Sequence, residues 1–196
     1  MPTVLTDRFA EALQAASAIH DDGSEAQPPH AAHLLQVAGM VLEAGGDEDQ
    51  AIAALFHDAL ESASSEEEAS ARESEIRDAF GDRAADIVVA CTDGARPGND
   101  EGWKEAKEQY IHHLWTEADD AAVRVSAADK LSTARELLRD YRAHGEGAWA
   151  RYEGGRSGTL WYYRALVGAY RYRDVNGHVD ELDDIVTTLE QQAAVA

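Results

Sequence analysis

Apolar residues recur every third or fourth position along most of this chain, and no stretch alternates apolar with polar over the length of a strand. A repeat near 3.6 residues buries one stripe of a helix, whereas a half-buried strand needs a repeat of two. Phe9, Leu13, Ala16 and Ile19 follow Thr6, a residue suited to cap a helix N-terminus. Leu34, Val37, Ala38 and Val41 mark a second helix ended by Gly45 and Gly46, and Ile52, Leu55 and Phe56 place a third over about 49–61. Ser65 with Glu68 reads as a capping box that opens an acidic helix stopping near Gly81. Asp82 then starts a short helix through Ile87 and Val88.

Residues 93–102 form a loop by composition, and Trp103, Ala106, Tyr110 and Leu114 trace the helix after it. Val123, Val125, Leu131, Leu137, Leu138 and Tyr141 lie on one long helix or two short ones, over about 119–142. A Gly-rich loop at 154–158 precedes a helix with Leu160, Tyr163, Leu166, Val167 and Tyr170, and Leu182, Ile185, Val186 and Leu189 mark the last. Abundant alanine and only 4 prolines agree with helix. The expectation is an all-α bundle of about 8–10 helices. At 196 residues it is read as a single domain over 1–175, with 176–196 as a C-terminal helix packed on it or on a second copy of the chain.

The formal net charge of −21 excludes some partners. Nucleic acids and anionic lipids are held by clustered Lys and Arg, and here Lys104, Lys107 and Lys130 are the only lysines. No apolar run reaches the roughly 18 residues of a membrane span. The N-terminal residues MPTVLTDRFAEALQ lack the basic start and apolar core of a secretory leader, and Cys91 is the lone cysteine. A cytoplasmic location is the expectation. The acidic stretch at 64–75 reads as a solvated helix face and is assigned no chemistry.

Against this background a few polar residues fall where apolar ones belong. His57 and Asp58 follow the apolar run AIAALF. Burying an imidazole and a carboxylate costs several kcal/mol unless a partner takes their lone pairs, and a divalent cation can serve both. A His-Asp pair by itself is a weak signal, more often a satisfied histidine at a helix end than a metal ligand. His33, at the start of the apolar face AAHLLQVAGMV, and Asp129, inside RVSAADKL, add two more polar intrusions. Together they place four candidate ligands on three helices.

This order of landmarks resembles the HD superfamily of metal-dependent phosphohydrolases, and more closely its alarmone hydrolase branch, which removes pyrophosphate from guanosine tetraphosphate. The resemblance spans roughly residues 8–170, through PPHAAHLLQVA, AIAALFHDALE, EIRDAFGDRAADIVVACTDG and SAADKLSTARELL. It implies an HD-domain helical bundle. It also implies one divalent metal held by His33, His57, Asp58 and Asp129, manganese first, with iron(II) or another transition metal also compatible. Glu61, one turn past His57, is the implied catalytic residue that orients or deprotonates the attacking water.

The chain departs from the branch pattern at three places. Ser62 stands where a second acid is usual, Thr133 where an Asn is usual, and the loop DDGSEAQPP (21–29) carries acids where basic residues are usual. Lys104, Lys107, Lys130 and Arg135 remain as candidate contacts for a small anionic phosphorylated substrate, with Thr133 and Ser62 beside them in the list of substrate-facing candidates. Trp103 and Trp161 are read as core aromatics before base-stacking ones, and His112, His113, His144 and His178 as structural. The functional expectation is a phosphohydrolase acting on a phosphoester or pyrophosphate of a nucleotide-like molecule. The alternative is a catalytically weakened HD domain that binds or senses a nucleotide without efficient turnover. Self-association is left open.

Overall fold

The computed structural model describes residues 3–19, 30–92, 100–173 and 178–194. In chain order the helices are α1 (Asp7–Ile19), α2 (His30–Glu43), α3 (Glu48–Leu55), α4 (Glu66–Phe80), α5 (Asp82–Cys91), α6 (Asp100–Thr116), α7 (Asp120–His144), α8 (Gly155–Arg173) and α9 (His178–Ala193). A 3-10 segment, Gly145–Arg151, follows α7. The described residues contain no strand. The expected loop at 21–29 and most of the expected loop at 93–102 lie outside the described residues, as does His20, which matches a histidine common before that first loop in the resembled family and is equally compatible with a capping role. No helix among the described residues is long and apolar enough to cross a membrane.

Two compact units divide the chain: Met1–Thr92 with Arg124–Asp129, and Asp93–Val123 with Lys130–Ala196. In the first, α3 packs against α1, α2 and α5. Gln50 through Leu55 are all buried, as a central helix with apolar residues on every side requires. Its polar exception, Gln50, accepts a 2.6 Å hydrogen bond from Arg124 of α7. Arg8 of α1 reaches Asp49 at 2.9 Å and the Phe80 carbonyl at 2.7 Å, tying α1 to the start of α3 and the end of α4.

The ends of these helices follow local chemistry. After α2, Gly45 takes φ +80° and the Gly45 and Gly46 amides bond the Leu42 and Val41 carbonyls at 3.0 and 2.9 Å, a Schellman closure. Asp47 caps α3 by accepting from Gln50 N at 3.1 Å. Ser65 caps α4 as expected, accepting from Glu68 N at 3.2 Å, while the Glu68 carboxylate turns back to Ser64 N at 2.8 Å.

In the second unit α8 packs against α6 and α9. Arg164 on α8 binds Glu190 and Asp183 of α9, and Arg173 caps the end of α6 through the Leu114 and Ala118 carbonyls. Helix α7 is one continuous helix, which settles the choice between one and two. The glycines at 154–158 do not form a loop ahead of α8, as expected from composition. Gly155 and Gly158 fall in its first turn and Gly154 in the turn just before it, where the Trp103 ring lies so close that a Cβ at Gly154 would meet it at 2.5 Å. Glycine is used there for space.

Candidate metal centre

The sequence places the third helix through Glu61, but α3 ends at Leu55 and residues 56–62 are turns. Phe56 sits at φ −110°, ψ 9°, and its amide bonds Ala53 O at 3.0 Å, a tighter closure than the α-helical one. The Ala54 carbonyl, which in a continued helix would receive the Asp58 amide, accepts from His57 Nδ1 at 2.8 Å. A carbonyl can only accept, so Nδ1 carries the hydrogen and the lone pair of a neutral ring is left on Nε2. The helix break and the aiming of His57 are thus one event.

Nε2 of His57 faces two further electron-rich atoms. It lies 3.3 Å from His33 Nε2 and 3.3 Å from Asp129 Oδ1, and His33 Nε2 is 3.4 Å from the same oxygen. His33 comes from α2 beside the fully buried Leu34; Asp129 comes from α7 among buried Ala127, Ala128 and Leu131. His57 and Asp129 are 6% and 7% exposed. Among the described residues these three form a group able to hold a metal ion. Ligands about 2.0–2.2 Å from a common ion stand about 3–3.5 Å from one another, the spacing of this triangle. The donor set fits the group.

The electrostatics point the same way. Burial pushes the His57 imidazole down, yet the Asp129 charge and hydrogen bond, helped by Asp58, outweigh it and hold the group at about 9. Three lone-pair donors packed together demand a positive charge, whether a proton or a cation.

With that geometry in view, a family model described as HD domain matches residues 11–159. The chain belongs to the HD domain family. No curated protein matches the sequence. Among solved structures it is similar to lmo0812 from Listeria monocytogenes EGD-e, with 25% identity, TM-score 0.67, and coverage of 80% of this chain and 97% of that one. It also shares its fold with a metazoan ortholog of SpoT described as hydrolysing ppGpp and acting in starvation responses. That match has 22% identity and TM-score 0.72, covering 95% of this chain and 97% of that one.

The other candidates of the HD centre fall in different places. Asp58 directs Oδ2 to His30 Nε2 at 2.9 Å, and is not in the converged triangle. His30 was missed by the sequence reading; the available signal was its spacing of one helical turn before His33, on the same face. Glu61 is exposed in the turn after Asp58. Ser62, also exposed, gives its hydroxyl to the Ala59 carbonyl at 3.3 Å and takes a 2.9 Å bond from Arg72. Arg72 of α4 binds the Ala59 carbonyl as well, at 2.6 Å, and is braced by Glu68 at 2.5 Å. The acidic helix read as a solvated face therefore fastens the turn that carries Asp58 and Glu61.

The basic candidates belong to the second unit. Lys104 lies over the Trp161 ring at 5.3 Å, Lys107 over Tyr162 at 5.0 Å, and Lys130 over Tyr110 at 5.9 Å. Arg135 forks onto Glu181 at 2.7 and 2.6 Å, and Thr133 is half-buried. Trp103 packs edge-on to Trp161 and Tyr162, with Trp103 and Trp161 both half-buried.

Proposed function

We propose that this HD-family chain is a metal-dependent phosphohydrolase that cleaves a phosphoester or pyrophosphate in a nucleotide-like small molecule, guanosine tetraphosphate among the candidates. The observation that carries the reading is the triangle of His33, His57 and Asp129, brought from three chain segments to 3.3–3.4 Å. The shared fold with a ppGpp-hydrolysing SpoT ortholog supports the substrate class. The match of the HD family across residues 11–159 supports reading 1–175 as one HD-type domain, and the contact of α9 with α8 supports the last helix being packed on it.

His33, His57, Asp129 and Asp58 would hold one divalent ion, for which mixed imidazole and carboxylate donors favour manganese, or iron(II), over magnesium. When bound, such an ion supplies positive charge beside the phosphoryl oxygens and acidifies a water. Glu61 accepts the proton of the attacking water as its oxygen bonds to phosphorus and the bond from phosphorus to the leaving oxygen breaks. Lys104, Lys107, Lys130, Arg135, Thr133 and Ser62 are the proposed substrate contacts; Arg135 would exchange Glu181 for the anion. The strongly negative chain works in the cytoplasm on small anions and leaves nucleic acid and membranes alone.

A second reading, nucleotide sensing without efficient turnover, is favoured by Ser62, whose hydroxyl is committed to Arg72 and the Ala59 carbonyl. One assay separates the two. Nucleoside pyrophosphates, including guanosine tetraphosphate, and nucleoside monophosphates are incubated with the protein and Mn²⁺, and released phosphate and pyrophosphate are measured. Turnover of any of them supports the enzyme. Tight binding with no release across the panel replaces it with the sensor.

A further inference from the structure

We infer that His30 is a positioning residue of the metal centre, holding Asp58 by a close imidazole–carboxylate contact so that this second carboxylate meets the ion bound by His33, His57 and Asp129. The inference rests on the metal-centre reading above. His30 opens α2 one turn before His33, with ring centroids 5.7 Å apart, and the His33 and His57 rings follow at 5.1 Å. The three imidazoles thus run in a row, and the outermost turns its Nε2 to Asp58 Oδ2 at 2.9 Å.

Asp58 needs such a partner. It lies beyond the end of α3, in a turn, where the backbone alone does not set the direction of a carboxylate with two rotatable torsions. An imidazole seated 2.9 Å from one oxygen restricts where the other one points. The second carboxylate also matters for charge: Asp58 and Asp129 together match a divalent ion, whereas Asp129 alone leaves it half compensated. His30 itself sits one bond further out, because the converging donors among the described residues are His33, His57 and Asp129. Such outer partners of metal-binding groups are worth about 10- to 100-fold in metal affinity.

The test is Mn²⁺ binding, read by titration calorimetry and by the loss of the free-ion electron paramagnetic resonance signal, on the full chain. His30→Ala should weaken Mn²⁺ by about 10- to 100-fold, and His30→Gln, which keeps an N–H donor, should recover most of it. In an Asp58→Ala background the same His30→Ala change should add nothing, because its effect passes through Asp58. Losses that multiply in the double variant, or unchanged affinity in His30→Ala, overturn the role of His30 while the centre stands. Failure of the unmodified chain to bind Mn²⁺ overturns the centre, and the role of His30 with it. Circular dichroism melts of each variant identify any unfolded one, and His30→Gln then decides by itself: affinity kept supports the role, affinity lost overturns it.

Discussion

His57 donates its Nδ1 hydrogen to the carbonyl of Ala54 at 2.8 Å, three residues back in its own chain. That bond spends one ring nitrogen on the backbone and commits the other to the cluster with His33 and Asp129. Metal-binding histidines are commonly oriented this way, which fixes both tautomer and ring direction. It also explains why α3 stops where it does.

The first prediction concerns the triangle itself. The purified protein should bind about one divalent ion per chain, by elemental analysis after dialysis. Asp129→Ala and His57→Ala should each lower affinity at least about 100-fold, since each removes a direct donor. Full occupancy in either variant would dismiss the ligand assignment.

A pH dependence follows from the same imidazole. In the metal-free protein His57 is held at about 9 against an ordinary 6.5, so its proton binds the folded state more tightly than the unfolded one. Its contribution to stability is complete below pH 6.5 and is lost as pH rises toward 9. Metal needs the same nitrogen without its proton, so Mn²⁺ affinity should climb by up to about tenfold per pH unit over that window. Melting temperatures and Mn²⁺ titrations across the range test both slopes; opposite signs are expected.

Arg72 should matter more than a helix-surface arginine. Arg72→Met keeps much of the stem but removes the donors to the Ala59 carbonyl and the Ser62 hydroxyl. The expected cost is about 1–3 kcal/mol in chemical denaturation, with Mn²⁺ affinity weakened in step because the turn holding Asp58 loosens. Arg72→Lys should recover only part, lacking the fork. A Mn²⁺ affinity untouched by Arg72→Met would sever α4 from the centre.

Two glycines make a matched pair. A Cβ at Gly46 would meet Val41 Cγ1 at 2.6 Å and the Val41 carbonyl at 2.7 Å, whereas one at Gly39, inside α2, meets nothing within 4 Å. Gly46→Ala should therefore destabilise by about 1–3 kcal/mol, and Gly39→Ala should stabilise by about 0.5–1 kcal/mol. Thermal melts of both variants check the contrast.

Glu61→Gln should leave Mn²⁺ binding in place and lower turnover by about 10²- to 10⁴-fold, the usual worth of a positioned base. Undiminished turnover in this variant would assign the proton to another acceptor.

What the chain determined by itself is the local part of this picture. Apolar spacing of 3.6 residues, the caps at Thr6 and Ser65, and glycine at the end of α2 act over a few residues, so the helices and the all-α class could be read from order alone. The identity of His33, His57 and Asp129 was legible for a related reason: each is a polar residue inside an apolar run, which is costly unless something compensates it. The tertiary structure decided the rest. Whether the Ala54 carbonyl takes the next backbone amide or an imidazole depends on what His57 gains by facing His33 and Asp129, which no local propensity encodes. His30 reaching Asp58, and Arg72 reaching Ala59 and Ser62, join residues on different elements, and those distances exist only once α2, α3 and α4 have packed.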